Sequence, residues 1–408
     1  MALAMTSLAQ PLATPPSDTP FLIRNEIRHN LAPHYPALRA LRHRRDLLQS
    51  PLYQQIEPAL SPLLSAIECG EHQQPSPPRW SHGTLRVVAW NIQRGRMLPD
   101  ILTALRDDPD LARADVILLS EVDHGMGRSH NRHVARELGQ GLGMHYAFGV
   151  SYLVLGDDVM ENAEGTENTL ALAGSAVLSR WPIGALLNLD LPELRDKFSS
   201  KSEKRLGKKR ALAAELHLPS GPLWVSTCHL DSNASPMQRS VQLRSLLLEV
   251  MRHGQRILVG GDFNTTTYDA SSKLALVRDL LHKFVKKGFD ATVSGYMTPE
   301  TSYEQPLFAL LDELGFAHAG LNHRGQGSYY YDVESPFAEA KLIEKVGTWP
   351  TRWLQKRLRP WKGRVPAKLD WFVGKNLHAE AAGTVEVMGS DGIPPSDHLP
   401  IFVDVSVP

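Results

Sequence analysis

From about residue 84 onward, short runs of β-forming apolar residues recur, each closed by a polar residue or by glycine. Leu85-Arg-Val-Val-Ala-Trp90 ends on Asn91, Asp115-Val-Ile-Leu-Leu-Ser120 on Glu121, and Leu223-Trp-Val-Ser-Thr-Cys228 on His229. Ile257-Leu-Val-Gly-Gly261 ends on Asp262, with Asn264 two residues further. Runs of this length and composition predict buried strands. The two glycines mark an abrupt stop, because they turn the backbone where a side chain would clash. Side chains alternate in extended chain, so Asp262 and Asn264 project to the same side. Lys368-Leu-Asp370-Trp-Phe-Val373 predicts a strand with an acid near its start, and Pro395-Ser-Asp397-His398-Leu-Pro400 precedes a strand at Ile401-Phe-Val-Asp-Val405. Between His229 and Asp262 a helix is expected, with Ser235 as N-cap, Pro236 in first position and Gly254 beyond its end. No repeat of solenoid length is evident.

The first part of the chain reads differently. Residues 1–20, rich in Ala, Pro, Ser and Thr, predict a loose tail. Phe21 to Cys69 reads as helical: Leu38, Leu41, Leu47 and Leu48 sit among Arg39, Arg42, Arg44 and Arg45, and Ser50-Pro51 and Ser61-Pro62 read as helix starts. Prolines 75, 77 and 78 then punctuate the chain. The expected organisation is a tail and helical extension over residues 1–82 and a main domain over residues 83–408. Lys+Arg 44 balance Asp+Glu 44, so overall charge favours no class of partner. Two cysteines, Cys69 and Cys228, make no disulfide framework and fit a reducing, cytoplasmic setting. No run of eighteen apolar residues suggests a membrane span, and the start of the sequence shows no basic region of a secretory signal.

A single Asp, Asn or His at a strand end is commonly a turn-former. Here four strand-like runs deliver Asn91, Glu121, His229 and the Asp262/Asn264 pair, and a loop brings Asp397 and His398. Sheets of this kind gather ligands at strand ends, so these residues are expected to converge on one cleft. Phosphoester hydrolysis needs such a set: an anion to neutralise, a water delivered in line and a leaving oxygen to stabilise.

Trp90-Asn91, Ser120-Glu121, His229-Leu230-Asp231, Gly261-Asp262-Phe263-Asn264, Leu369-Asp370-Trp371 and Ser396-Asp397-His398 stand in the order of the endonuclease/exonuclease/phosphatase superfamily, which Thr84 to Pro408 resembles. That superfamily includes pancreatic-type deoxyribonucleases, apurinic endonucleases, bacterial sphingomyelinases and inositol polyphosphate phosphatases. The resemblance implies an α+β fold, a four-layer α/β/β/α sandwich of two mixed β-sheets flanked by helices. It implies metal binding by Glu121 with Asn91 and Asp397, and hard oxygen donors of this kind suit Mg²⁺ or Mn²⁺. It gives His398 the catalytic imidazole and Asp370 the carboxylate that orients it. It gives His229 a contact to the scissile phosphate, Asp262 the attacking water and Asn264 a phosphate contact. The implied activity is metal-dependent phosphoester hydrolysis, of nuclease type, with a lipid or small phosphate ester as the alternative substrate and an inactive polyanion-binding module as the alternative of another class. Ser120 replaces the Gln of apurinic endonucleases, and Ser175 stands where the family's Gly-Asn-Ala-Ile-Leu-Ser segment has Asn.

Other features are weaker. His124, His130 and His133 follow Glu121 beside Gly125 and Gly127, but their spacing matches no zinc set and predicts a solvated or substrate-facing loop. Motifs of nucleotide-driven motors and serine hydrolases are absent. Arg195 to Arg210 holds eight basic residues, and Lys341 to Lys368 holds nine, with Trp349, Trp353 and Trp361 among them. Basic and aromatic residues together suit nucleic-acid strands, where phosphates pair and bases stack. They also suit anionic lipid headgroups, or a solvated loop packed on the core.

Overall fold

The computed structural model describes residues 20–78, 83–156, 165–199, 203–265, 278, 279, 281–332, 339, 343, 347–359 and 364–407. Its strands are β1 (Phe21–Arg24), β2 (Ile67–His72), β3 (Thr84–Arg94), β4 (Val116–His124), β5 (His145–Val154), β6 (Leu172–Ser179), β7 (Ile183–Asp190), β8 (Arg205–Gly207), β9 (Arg210–Leu218), β10 (Gly221–His229), β11 (Ile257–Asp262), β12 (Tyr329–Asp332), β13 (Arg364–Ala367), β14 (Asp370–Lys375), β15 (His378–Thr384) and β16 (Ile401–Ser406). One sheet of nine strands runs β1-β2-β5-β6-β4-β3-β16-β15, with β8 on β5; a second of five runs β14-β11-β10-β9-β7; β12 and β13 form a separate pair. The helices include α1 (Tyr35–Ala40), α2 (Arg44–Leu48), α3 (Pro51–Leu63), α4 (Leu98–Asp107), α5 (Val134–Leu142) and α6 (Pro236–Met251).

The period-two pattern of the strands builds the layers. Val87, Ala89, Val116 and Leu118 of the large sheet pack with Leu212, Ala214, Val225 and Leu258 of the small one in a single inter-sheet core. The alternate residues Val88, Trp90, Ile117 and Leu119 face α4 and α5 on the outer side. On the other outer face, Ile257 and Val259 pack with Leu243, Leu246 and Leu247 of α6 and with Leu307 and Leu311 of the helix Gln305–Leu314. The result is a four-layer α/β/β/α sandwich.

Each sheet contains one parallel pair, β3 with β4 and β10 with β11, flanked by an antiparallel strand, β16 on β3 and β14 on β11. A parallel pair needs a crossover connection, and α4 and α6 supply the two. As expected, α6 opens on Ser235, whose hydroxyl accepts from Gln238 N while the Gln238 side chain accepts from Ser235 N. On β3, Arg86 forks onto Asp404 of β16 at 2.6 and 2.7 Å, which anchors the strand that follows Asp397 and His398.

The reading of Phe21 to Cys69 as helical requires correction. Helices α1–α3 are present, and Ser50 caps α3 as expected, but the segment begins and ends in strands, and Ser61-Pro62 lies in the last turn of α3. β2 pairs with β5 through Cys69↔Ala147 and carries β1 outside it, so the segment extends the large sheet. β1 and β2 are short and partly polar, and pairing on an existing edge, not local preference, makes them strands. Of the tail expected over residues 1–20, all but Pro20 lies outside the described residues.

The His124/His133 reading also changes. Both side chains are buried, stacked with ring centres 3.8 Å apart, against the outer face of the large sheet. Pairing of His124 with His133 closes the loop between them, leaving His130 exposed. His133 Nε2 donates to the fully buried Glu68 at 2.7 Å, as do Arg136 and the Tyr146 hydroxyl, both at 2.7 Å, and Ile27 N donates to its other oxygen at 2.9 Å. Burial alone would raise the Glu68 carboxyl, but His133, Tyr146 and Arg136 outweigh it and hold the group well below the ordinary range.

Two expectations follow from this packing. Glu68→Ala leaves Arg136 without its counter-charge and the His133 and Tyr146 donors without their acceptor, and should cost about 3 kcal/mol, read by urea denaturation. Because the folded carboxyl lies below its unfolded value of 4.5, its contribution is full above that pH and fades as pH falls below it. The acid side of the stability profile should therefore be shallower in Glu68→Gln; an unchanged slope would remove Glu68 from the acid response. Separately, Gly261 has φ +140° and a Cβ there would lie 2.2 Å from the Cys228 carbonyl oxygen. Gly261→Ala should cost about 2–4 kcal/mol, seen as a lowered midpoint in the same assay.

Candidate active site

Asp262 ends β11 inside the cleft, 2% exposed, and its carboxylate is met from several sides. Asn264 N donates to Oδ1 at 2.9 Å, and Asn91 Nδ2 donates to Oδ2 at 3.2 Å. His229 Nε2 lies 3.5 Å and His398 Nε2 3.8 Å from the same Oδ2. Behind His398, Nδ1 donates to Asp370 Oδ2 at 2.8 Å. Asp370 begins β14, registered opposite Asp262, and the Ser328 hydroxyl accepts from the backbone N–H groups of both Leu369 and Asp370. The loop carrying His398 is held by Trp90 Nε1, which donates to the His398 carbonyl, and by Ser396, which donates to the Asn91 carbonyl.

Asn91 and Glu121, expected at strand ends, lie within strands instead. β3 continues to Arg94 and β4 to His124, with register shifts between Asn91 and Arg94 and between Leu119 and Val122. Glu121 occupies the irregularity with φ +53°. A left-handed conformation at a non-glycine residue costs about 1–3 kcal/mol and is found where surrounding structure enforces it. The bulge re-aims the carboxylate: Oε2 accepts from Arg94 at 3.0 Å and Oε1 lies 3.9 Å from His229 Nε2. Asn264, at φ +51°, takes the same backbone region and donates Nδ2 to the Leu230 carbonyl at 3.0 Å.

The two histidines are driven in opposite directions. Burial lowers His229 to about 4, with the Lys209 charge acting the same way against Asp262 and Glu121. For His398, burial is outweighed by Asp370 and Asp262, and the imidazole is raised well above 6.5. At neutral pH the cleft therefore presents one uncharged and one cationic imidazole, a distinction that no feature of the linear sequence carries. Glu121 would be raised by burial, but Arg94, His229, Lys209 and His398 hold it well below the ordinary range.

The donor set fits a hard cation. Asp397 is exposed, next to the buried His398. The surrounding protein raises its carboxyl, and Glu121 and Asp262 push the same way against His398 and Arg94. Carboxylates that repel one another, with a carboxamide alongside, make an oxygen site that a divalent ion would neutralise. Asp262, Asp370 and His398 also offer donors within 4.8 Å of one another. In that trio His398 Nδ1 is committed to Asp370.

Arg94 and Lys209 belong to this site, and sequence reasoning misses both. Arg94 follows Asn91 by three residues, and the bulge that brings it to Glu121 leaves no compositional mark. Lys209 is one basic residue in a run of eight. Burial lowers it to about 8, against the pull of Asp231 and Asp262.

No curated protein sequence matches the chain. Among solved structures, an endonuclease/exonuclease/phosphatase from Beutenbergia cavernae is 18% identical, with a TM-score of 0.49 over 80% of this chain and 72% of that one. The human Nocturnin catalytic domain with bound sulfate is 17% identical, TM-score 0.43, over 81% and 98%. A 3′ phosphatase from Neisseria bound to a product DNA hairpin is 15% identical, TM-score 0.43, over 78% and 98%. The model of the Endonuclease/Exonuclease/phosphatase family matches residues 88–398, from the middle of β3 to His398, and the chain belongs to that family.

Proposed function

We propose that the chain hydrolyses phosphate esters with the help of a hard divalent cation, Mg²⁺ or Mn²⁺, and that its substrates are phosphodiesters of nucleic-acid type. The observation that carries this reading is the buried Asp262 carboxylate, with two imidazoles within 3.8 Å of one oxygen and a second carboxylate, Asp370, hydrogen-bonded to one of them. Asn91, Glu121 and Asp397 would hold the cation, which when bound supplies positive charge to the phosphoryl group. Asp262 Oδ2, the oxygen that faces both imidazoles, takes the position of general base for the attacking water. His398 donates from Nε2 to a non-bridging oxygen, and Asp370 keeps it charged and in line. His229, neutral, contributes a hydrogen bond. The two cysteines are buried free thiols, in keeping with a reducing, cytoplasmic setting, and among the described residues no helix is long and apolar enough to cross a membrane.

The substrate preference rests on the helix Thr348–Leu358. The segment Lys341–Lys368 lies partly outside the described residues, but this helix buries Thr351, Leu354 and Leu358 and exposes Trp349, Arg352 and Lys356, with Arg359 following. At 3.6 residues per turn these four side chains form one stripe. Trp349 is 77% exposed. Trp353, by contrast, packs on Phe289 with ring centres 5.3 Å apart, so Trp349 is the residue free to stack on a base. In the other basic run, Arg195–Arg210, carboxylates of the fold take up part of the charge: Lys208 and Arg210 pair with Asp190, Lys197 with Asp231 and Arg205 with Glu203.

Activity on a generic diester should require divalent metal, and Glu121→Gln should remove most of it while the fold survives. Asp262→Asn and His398→Ala should each lower kcat by about two orders of magnitude or more, and Asp370→Asn by less. Full turnover in excess chelator, or near-normal kcat in His398→Ala when chemistry limits the rate, would overturn the assignment.

A polyanion gripped along the helix makes salt dependence the readout. Replacing Arg352, Lys356 and Arg359 with Ala should flatten the log–log salt slope of oligonucleotide binding by about one unit for each phosphate no longer neutralised. Hydrolysis of a small diester should be spared. Trp349→Ala should weaken single strands more than duplex. Weakened binding to anionic vesicles alone would transfer the preference to a lipid substrate.

A further inference from the structure

Beside His229 lies a group of cations whose arrangement exceeds what the structure needs. β10 ends on His229, the chain continues through Leu230 to Asp231, and the Leu230 carbonyl accepts from Lys209 Nζ at 3.0 Å as well as from Asn264. Lys197 Nζ lies 3.3 Å from Asp231 Oδ2. The Arg205 guanidinium stacks 4.3 Å over the Tyr152 ring, its Nη1 2.9 Å from Glu203. Glu203 is shared with Arg128, which also forks onto Asp123 at 2.8 and 3.0 Å. Two carboxylates, Asp231 and Glu203, thus face Lys197, Arg205 and Lys209, with Glu203 divided between two arginines. Lys209 has a carbonyl partner and no ion pair of its own among the described residues.

Two atoms are left over. The Tyr152 hydroxyl, on a residue 6% exposed, and Arg205 Nε are buried and have no hydrogen-bond partner among the described residues. A buried donor without an acceptor is costly, and it persists where a ligand supplies the acceptor. Burial raises the phenol, and Asp231 and Glu203 act in the same direction, so it remains a donor. Burial, helped by neighbouring cations, depresses Lys197 and Lys209 against the pull of Asp231 on both and of Asp262 on Lys209. A guanidinium and two ammonium groups can only donate, a phenol O–H can donate beside them, and together they match a tetrahedral dianion.

We propose that Lys197, Arg205, Lys209 and the Tyr152 hydroxyl form a second anion subsite, which holds a phosphate group of the substrate next to the one being cleaved. The inference rests on the phosphodiesterase reading and narrows it to substrates that carry a further phosphate. Position favours a flanking phosphate of a strand, since Lys209 Nζ and Asn264 Nδ2 donate to the same Leu230 carbonyl, one residue past His229.

Tyr152→Phe is the decisive variant, because it keeps the ring under Arg205 and removes only an unpartnered hydroxyl; Lys197→Met is its companion. Inorganic phosphate is titrated calorimetrically into wild type and variants, and kinetics are run with divalent metal on a short oligothymidylate and on bis(p-nitrophenyl) phosphate. Each variant should weaken the binding of inorganic phosphate and raise KM for the oligothymidylate by about tenfold, the effect of one charge-assisted hydrogen bond. kcat/KM on bis(p-nitrophenyl) phosphate, which has no second phosphate, should stay within about twofold. Unchanged phosphate affinity in both variants, or equal losses on both substrates, would overturn the subsite. If phosphate binding weakens but oligothymidylate kinetics do not change, the group is a site for free phosphate, and its proposed role in substrate binding is wrong. Wild type inactive on both diesters would overturn the phosphodiesterase reading, while the phosphate titration would still decide the subsite.

Discussion

The structure around the cleft is organised by the cost of keeping one carboxylate, Asp262, out of water. An ionised carboxyl in a protein interior needs several kcal/mol of compensation, and this one collects it from separate parts of the chain: Asn264 N locally, Asn91 from β3, His229 from β10 and His398 from the loop before β16. Each contact requires a backbone to arrive at the right depth. Gly261 permits β11 to lie against the Cys228 carbonyl, where a side chain would collide. The antiparallel pairing of β14 sets Asp370 opposite Asp262 and so fixes the second carboxylate behind His398. Without these strands in this order, Asp262 would be a buried charge and little else.

The same arrangement separates the two imidazoles. Both lie within 3.8 Å of one oxygen, yet only His398 has a second carboxylate at hydrogen-bond distance. His229 has Lys209 nearby instead. A difference in second neighbours thus converts two similar residues into one charged and one uncharged group. Division of labour in acid–base sites commonly arises this way.

Much of this is legible in sequence because each strand announces itself by an apolar run and each site residue by its place after that run. Asp262, Asn264, His229, Asp370 and His398 are brought together as the spacing suggests. What is not legible depends on contacts made across the fold. Glu121 lies within β4, and a bulge does the aiming that a strand end would otherwise do. Bulges of this kind leave no apolar or polar period behind them. β1 and β2 have too few alternating apolar residues to be read as strands, and only the free edge of β5 makes them so. His124 and His133 read as residues of a solvated or substrate-facing loop, yet they are buried and stacked, because Glu68, distant in sequence, gives His133 a hydrogen-bond acceptor inside the core.

Charge in the sequence is the least transparent signal, and the reason is geometric. Arg195–Arg210 and Lys341–Lys368 are similarly basic on paper, but pairing treats them differently. In the first, most cations find carboxylates or carbonyls of the same fold. In the second, the described helix turns its apolar side inward and leaves its cations and Trp349 to solvent. A linear count of lysine and arginine cannot distinguish a segment that neutralises the protein from one that addresses a ligand. Only the residual does so, where cations outnumber accessible carboxylates and donors remain unused. Around the Arg195–Arg210 run the unused donors are Arg205 Nε and the hydroxyl of the Tyr152 ring beneath it, while Lys209 donates to the Leu230 carbonyl that follows His229, and these are the groups the proposed subsite would use.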